Sequence, residues 1–207
     1  YISDFKNPAA DIYRVNTTTG KRIKLLSGQL TGQHIGGISP DGRHFLYWKN
    51  AMWQVAELAT GATRTIGAGA PSFVNTEFDY PGPKPPYGIA SYTADGSGVI
   101  VPSRFDLWLL PLDGSAARNL TNGVGTREQI VFRPVRFEPI DSSARRAARV
   151  AREIDLAKPL TLSAYGEWTK KEGLAKVDPA KPGATPLIWE DAAIRVTRAR
   201  DAEVYLL

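Results

Sequence analysis

The stretch Ile38-Ser39-Pro40-Asp41-Gly42-Arg43-His44-Phe45-Leu46-Tyr47-Trp48 decides how the rest of the chain is read. Proline fixes its own φ and glycine accepts a positive one, so Pro40-Asp41-Gly42 has the chemistry of a tight turn. Phe45 and Tyr47 behind it, then Trp53 and Val55, supply the aromatic and β-branched bulk of half-buried strands. Thr60-Gly61 makes a second turn before Arg64-Thr65-Ile66. Four short antiparallel strands in series are the unit of a propeller blade.

The unit repeats. Asp11-Ile12-Tyr13-Arg14-Val15 runs to Thr19-Gly20 and then Ile23-Lys24-Leu25-Leu26. Asp106-Leu107-Trp108-Leu109-Leu110 runs to Asp113-Gly114 and then Arg118-Asn119-Leu120. Leu174-Ala175-Lys176-Val177 leads more loosely to Gly183 and Pro186-Leu187-Ile188. Each reads as a strand, a turn containing glycine and a short outer strand.

Gly20 and Gly61 lie 41 residues apart, matching the roughly 40–45 residues of a four-stranded blade. The next intervals, to Gly114 and Gly183, are longer by 12 and 28 residues, and each holds an insert. Residues 70–87 are rich in proline, with Pro71, Pro81, Pro83, Pro85 and Pro86. Residues 142–154 are rich in alanine and arginine behind Ser142 and Ser143, which predicts a capped surface helix.

Inner strands are expected at 35–38 and 45–48, at 89–92 and 99–101, and at 130–137 and 160–165. Residues 11–26 supply only the outer pair of a blade, and 194–196 with 204–207 only an inner pair. The predicted fold is an all-β propeller with one inserted helix. It divides into a half blade 1–30, a blade 31–69, the proline-rich insert 70–87, a blade 88–123, a blade with the helical insert 127–190, and a half blade 191–207. Closed on itself this would be a four-bladed ring, the lower limit, so part of a larger ring is expected.

Composition narrows the function classes. The 207 residues include no cysteine, which leaves neither a disulfide framework nor a thiolate metal site. No apolar run approaches the ~18 residues of a membrane span. The chain starts at Tyr1, and the expectation is that an upstream region with any targeting segment has been removed. The net charge of +5 is spread along the chain, with a denser patch at Arg145, Arg146, Arg149 and Arg152. No nucleic-acid-binding signature accompanies it, so a solvated basic face is the reading and no nucleic-acid partner is expected.

The Pro-Asp-Gly blade with its Thr-Gly hairpin resembles the TolB-like, Pro-Asp type of propeller repeat. Longer stretches carry a second resemblance. They are Asp79-Tyr80-Pro81-Gly82-Pro83-Lys84-Pro85-Pro86-Tyr87-Gly88-Ile89-Ala90, Asp106-Leu107-Trp108 with Arg118-Asn119-Leu120-Thr121-Asn122-Gly123, and Lys158-Pro159-Leu160-Thr161-Leu162-Ser163-Ala164-Tyr165-Gly166-Glu167 followed by Lys170-Lys171. These resemble the propeller of large bacterial members of the prolyl oligopeptidase family.

That resemblance implies a propeller set over an α/β-hydrolase domain with a Ser-Asp-His triad, filtering peptide substrates. It implies a periplasmic or secreted parent, with the hydrolase domain of the same parent chain as partner. No Gly-x-Ser-x-Gly elbow occurs here, since Gly37-Ile38-Ser39-Pro40-Asp41 and Gly96-Ser97-Gly98 both break the pattern. No catalytic residue and no cofactor is therefore assigned, and this chain by itself is expected to lack peptidase activity. A TolB-like interaction module and a carbohydrate-active propeller enzyme are the alternatives.

The remaining candidates are sparse. Of the two histidines, His44 follows the Pro-Asp-Gly turn and is expected to be exposed. His34 precedes an inner strand and is a candidate contact to substrate or partner. Two histidines without a defined carboxylate cluster do not make a metal site. Asp41, Asp95 and Asp113 sit beside turn glycines, where aspartate commonly bonds its own backbone. Glu77 with Asp79, and Glu190 with Asp191, read as solvated loop residues. Trp53 and Trp108 share one repeat position, which points to packing between sheets. Trp168, in a polar turn, is the exposed aromatic candidate for contact. Unpaired strand edges near Tyr13 and Tyr205 predict self-association.

Overall fold

The computed structural model describes residues 8–135, 153–195, 197–198 and 205–206. Those residues form an all-β structure of antiparallel sheets. β1 (Ala9–Val15) and β2 (Arg22–Leu30) make a hairpin. A 3-10 turn, Gly32–His34, leads into β3 (Ile35–Ile38), β4 (His44–Lys49), β5 (Met52–Glu57) and β6 (Thr63–Thr65), which pair in chain order as the first four-stranded sheet. The second sheet is β7 (Ser91–Tyr92), β8 (Gly98–Pro102), β9 (Leu107–Pro111) and β10 (Arg118–Asn119). A short helix α1 (Val124–Glu128) precedes the third, β11 (Ile130–Pro134), β12 (Leu160–Gly166), β13 (Glu172–Asp178) and β14 (Lys181–Glu190). β15 (Thr197–Arg198) pairs with β16 (Tyr205–Leu206).

The first turns of two sheets are built alike. Ser39 accepts from the His44 amide through its hydroxyl (2.9 Å), and Gly42 N–H closes on Ser39 C=O (2.9 Å). Fifty-four residues on, Thr93 accepts from Gly98 N–H (2.9 Å) and Gly96 N–H closes on Thr93 C=O (3.0 Å). Gly42 and Gly96 take φ of 69° and 70°, the left-handed region that glycine enters without a Cβ clash. A hydroxyl, an aspartate and a glycine at fixed offsets therefore fold the same way twice.

Strand alternation decides the packing. On β4, Phe45 and Tyr47 join Leu26 of the hairpin and Ala56 of β5 in one core. Leu46 and Trp48 point the other way, with Trp53 and Val55, onto Val99 and Val101 of β8. Ile100, between those valines, faces Phe132, Leu162 and Val177 of the third sheet. Successive side chains on a strand point to opposite faces, so β4 and β8 each feed two cores. The β1–β2 hairpin and the three four-stranded sheets are layered in chain order, with apolar side chains between each consecutive pair.

Four expectations meet a different outcome or fall largely outside the described residues. Gly183 does not turn the last hairpin: Pro179-Ala180 does, with Ala180 N–H on Asp178 Oδ1 (2.9 Å), and Gly183 lies inside β14 near a register shift. The helix α1 occupies residues read as the connection into the third sheet. The helix expected at 142–154 falls outside the described residues up to 152. At its far end Ile154 is extended, in a parallel bridge with Thr93. The last strand pair also begins later than expected, at Thr197.

Candidate functional site

In each four-stranded sheet the second turn lies at the end where the first strand begins and the fourth strand ends. The connections between sheets gather at that same end. A cavity of about 530 Å³ opens there. Gly28, Gln29 and Leu30 of β2 line it with His34, with Trp48 to Ala51 of the β4–β5 hairpin, and with Val74, Pro83 and Lys84 of the proline-rich segment.

Each wall has a local cause. Asn50 and Ala51 form the two-residue hairpin loop with φ of 53° and 58°, the primed turn that matches strand twist. Alanine lacks glycine's freedom there, so this wall carries backbone strain. The proline-rich segment folds back on itself, Val74 bridging to Pro86, Asn75 N–H on Pro85 C=O (2.8 Å) and Tyr87 N–H on Phe73 C=O (3.1 Å). Phe73 anchors it in the core, edge-on to Trp108 at 6.5 Å.

Two buried polar side chains line this cavity. Gln29, 1% exposed, donates from Nε2 to Leu30 C=O (2.9 Å) and Trp48 C=O (3.0 Å), which leaves Oε1 without a partner. His34 is 5% exposed and its Nε2 has none either. A buried polar atom without a hydrogen bond costs about 1–3 kcal/mol. Lys49 and Lys84 bring two cations to the lining, and no carboxylate is among the lining residues. Lys84 Nζ donates to Thr76 C=O (3.0 Å).

A second cluster ties neighbouring sheets together at this end. Arg104, in the β8–β9 turn, pairs with Glu167 of the β12–β13 turn and lies 3.6 Å from Glu77 of the proline-rich segment. Glu77 is thus paired rather than simply solvated. Arg133 of β11 donates to Arg104 C=O (3.1 Å) and Phe132 C=O (2.7 Å) and lies over the Tyr87 ring. Burial pushes its guanidinium down from the usual arginine value. Trp168 is 79% exposed and is held by its Nε1–H on Gln129 Oε1 (3.3 Å).

Of the two sequence candidates, His34 lies in the cavity wall, and Trp168 is in the turn that carries Glu167, not in that lining. The structure does not join them in one site. His44 is half-buried rather than exposed, its Nδ1 unpartnered and its amide on Ser39. Asp41, Asp95 and Asp113 each accept an amide two residues on, from Arg43, Ser97 and Ser115. Among the described residues no group of three or more metal-ligating side chains gathers.

Sequence reasoning missed Asp106, Gln29 and Arg104. Asp106 heads β9, is 2% exposed, and accepts from the Thr121 hydroxyl (2.6 Å), Gly125 N–H (3.0 Å), Thr126 N–H (3.1 Å) and the Thr126 hydroxyl (2.5 Å). Asp11, at a register shift inside β1, likewise accepts from the Ser27 hydroxyl and Gly28 N–H, both 2.9 Å. The recurrence of aspartate before Ile12-Tyr13 and Leu107-Trp108 was the available signal. No family model matches the chain, and no curated protein matches it.

Proposed function

We propose that these sheets are blades of a β-propeller forming the non-catalytic part of a prolyl-oligopeptidase-like serine hydrolase. In this reading the propeller admits and orients peptide for an α/β-hydrolase domain in the same gene product. The single observation behind it is the series of four-stranded antiparallel sheets in strict chain order, each joined to the next by a core shared through its central strands. Repeated turn chemistry at Ser39-Pro40-Asp41-Gly42 and Thr93-Ala94-Asp95-Gly96 supports the same reading, as does the hydrogen-bonded aspartate before Ile12-Tyr13 and before Leu107-Trp108.

Peptide hydrolysis by this route needs an activated hydroxyl, a base within reach and donors for the oxyanion. The described residues of this chain contribute shape, an inter-sheet cavity and polar contacts instead. Those act on access and orientation.

Fluorophosphonate labelling tests this. The full gene product should be labelled on one serine outside residues 1–207. The chain alone should take no label and should not turn over proline-containing peptides. Labelling of a serine within this chain, lost on changing His34 or His44, would overturn the proposal.

A further inference from the structure

Asp41, Asp95, Asp113 and Asn122 each stand immediately before a glycine. In such a pair the main-chain amide can reach the neighbouring side-chain carbonyl most freely, because glycine has no Cβ to hinder the approach. At the three aspartates the structure closes that route. Gly42, Gly96 and Gly114 each donate their N–H to a carbonyl three residues back, of Ser39, Thr93 and Pro111. The aspartates themselves are held below the usual carboxylate range, chiefly by the Ser39 hydroxyl, the Thr93 hydroxyl and the Ser115 amide respectively. They stay ionised, and a carboxylate is a poor electrophile.

Asn122-Gly123 is built differently. Asn122 is exposed, and neither its side-chain amide nor the Gly123 N–H has a hydrogen-bond partner among the described residues. Both residues are left-handed, with φ of 52° and 71°, in a turn closed by Val124 N–H on Thr121 C=O (3.2 Å). No heavy atom lies within 4 Å of the point where a Cβ would stand on Gly123, so the turn has room to rotate. None of the other described asparagines precedes a glycine, and the side-chain oxygens of Asn16, Asn75 and Asn119 already accept main-chain amides.

We infer that Asn122-Gly123 is a site of spontaneous deamidation, and that conversion there loosens the connection between the second and third sheets. The Gly123 nitrogen gives its proton to solvent and bonds to Asn122 Cγ; the Cγ–nitrogen bond of the side-chain amide breaks, and ammonia leaves. Water then opens the five-membered imide, at Cγ to give aspartate or at the main-chain carbonyl to give isoaspartate. The residues on either side are pinned, because Thr121 before the site and Gly125 and Thr126 after it all bond Asp106. Isoaspartate lengthens the main chain by one carbon between those points. The inference does not depend on a hydrolase domain.

The test incubates the folded chain in warm, mildly alkaline 18O-labelled water and maps the products by mass spectrometry with fragmentation that separates isoaspartate from aspartate. Asn122 should convert at least tenfold faster than Asn16, Asn50, Asn75 or Asn119, and within threefold of its own rate in urea. Gly123→Ala should slow conversion at least fivefold. The isoaspartate form, once separated, should have a thermal midpoint lower by at least about 2 °C, whereas Asn122→Asp, which adds the charge without the extra carbon, should melt close to the parent. Conversion spread evenly over the asparagines would overturn the inference, as would an Asn122 that converts in urea and not in the folded chain. An isoaspartate form that melts with the parent would overturn the claimed loosening.

Discussion

The Thr121 hydroxyl donates to Asp106 Oδ1 over 2.6 Å, fastening the segment that follows β10 to the residue that precedes β9. The same hydroxyl accepts from Leu107 N–H at 3.2 Å, so it both donates and accepts. Asp106 then holds Gly125 and Thr126 at the start of α1. One carboxylate thus fixes a strand, the exit of its outer neighbour and the connection into the next sheet.

Removing that carboxylate leaves several buried donors unsatisfied. At about 1–3 kcal/mol for a lost buried partner, Asp106→Ala should cost roughly 3 kcal/mol or more. Asp106→Asn keeps one acceptor oxygen and should cost less. Urea unfolding followed by tryptophan fluorescence measures both. A loss below about 1 kcal/mol for the alanine variant would mean that Asp106 does not anchor the connection.

Trp53 is 1% exposed and packs edge-on against Trp48 at 5.3 Å, between the first and second sheets. Trp53→Ala should lose about 3–5 kcal/mol, the range for large aromatic truncations in cores. Its indole N–H is buried without an acceptor. Trp53→Phe deletes that unpaired donor and should therefore cost no more than about 1–2 kcal/mol. Equal losses for the two variants would show that the indole is not valued for its apolar area alone.

The Asp41 carboxyl is held below the usual carboxylate range chiefly by the Ser39 hydroxyl; burial opposes this, and the Arg43 amide adds a smaller lowering effect. The folded chain therefore binds this proton more weakly than the unfolded chain. The contribution is complete above the unfolded value near 3.8 and is lost as pH falls through the lower folded value. Asp41→Asn should lower stability at pH 7 and flatten its decline between about pH 5 and 2. Parallel stability curves for the two proteins would contradict this assignment.

What the sequence disclosed follows the range of the interactions involved. The strands about Pro40-Asp41-Gly42 and Asp95-Gly96 were legible because their turns close within six residues on their own side chains. Burial of Trp53 between sheets was legible because period-two alternation determines which face a residue joins. Asp106 was not, because its partners lie 15 to 20 residues onward and none stands out in isolation. The helix α1 has five residues and begins beyond Gly123, so periodicity gives it no signal. Gly183 misled because the chain turns earlier, at Pro179-Ala180, and β14 carries Gly183 beside a register shift. His34 was legible as a candidate, whereas its cavity joins four separated segments that no local pattern connects.

Blades fan outward from an axis, whereas sheets of a sandwich run parallel, and paired distances between spin labels separate the two most directly. The chain has no cysteine, so single pairs can be introduced cleanly. One pair, Ile38→Cys and Val131→Cys, reports the first strands of the first and third sheets; another, Arg64→Cys and Leu187→Cys, reports their fourth strands. A propeller predicts that the second distance is at least about one and a half times the first, because blades diverge from the channel. Equal distances near roughly 20 Å, twice the face-to-face separation of stacked sheets, would contradict the propeller.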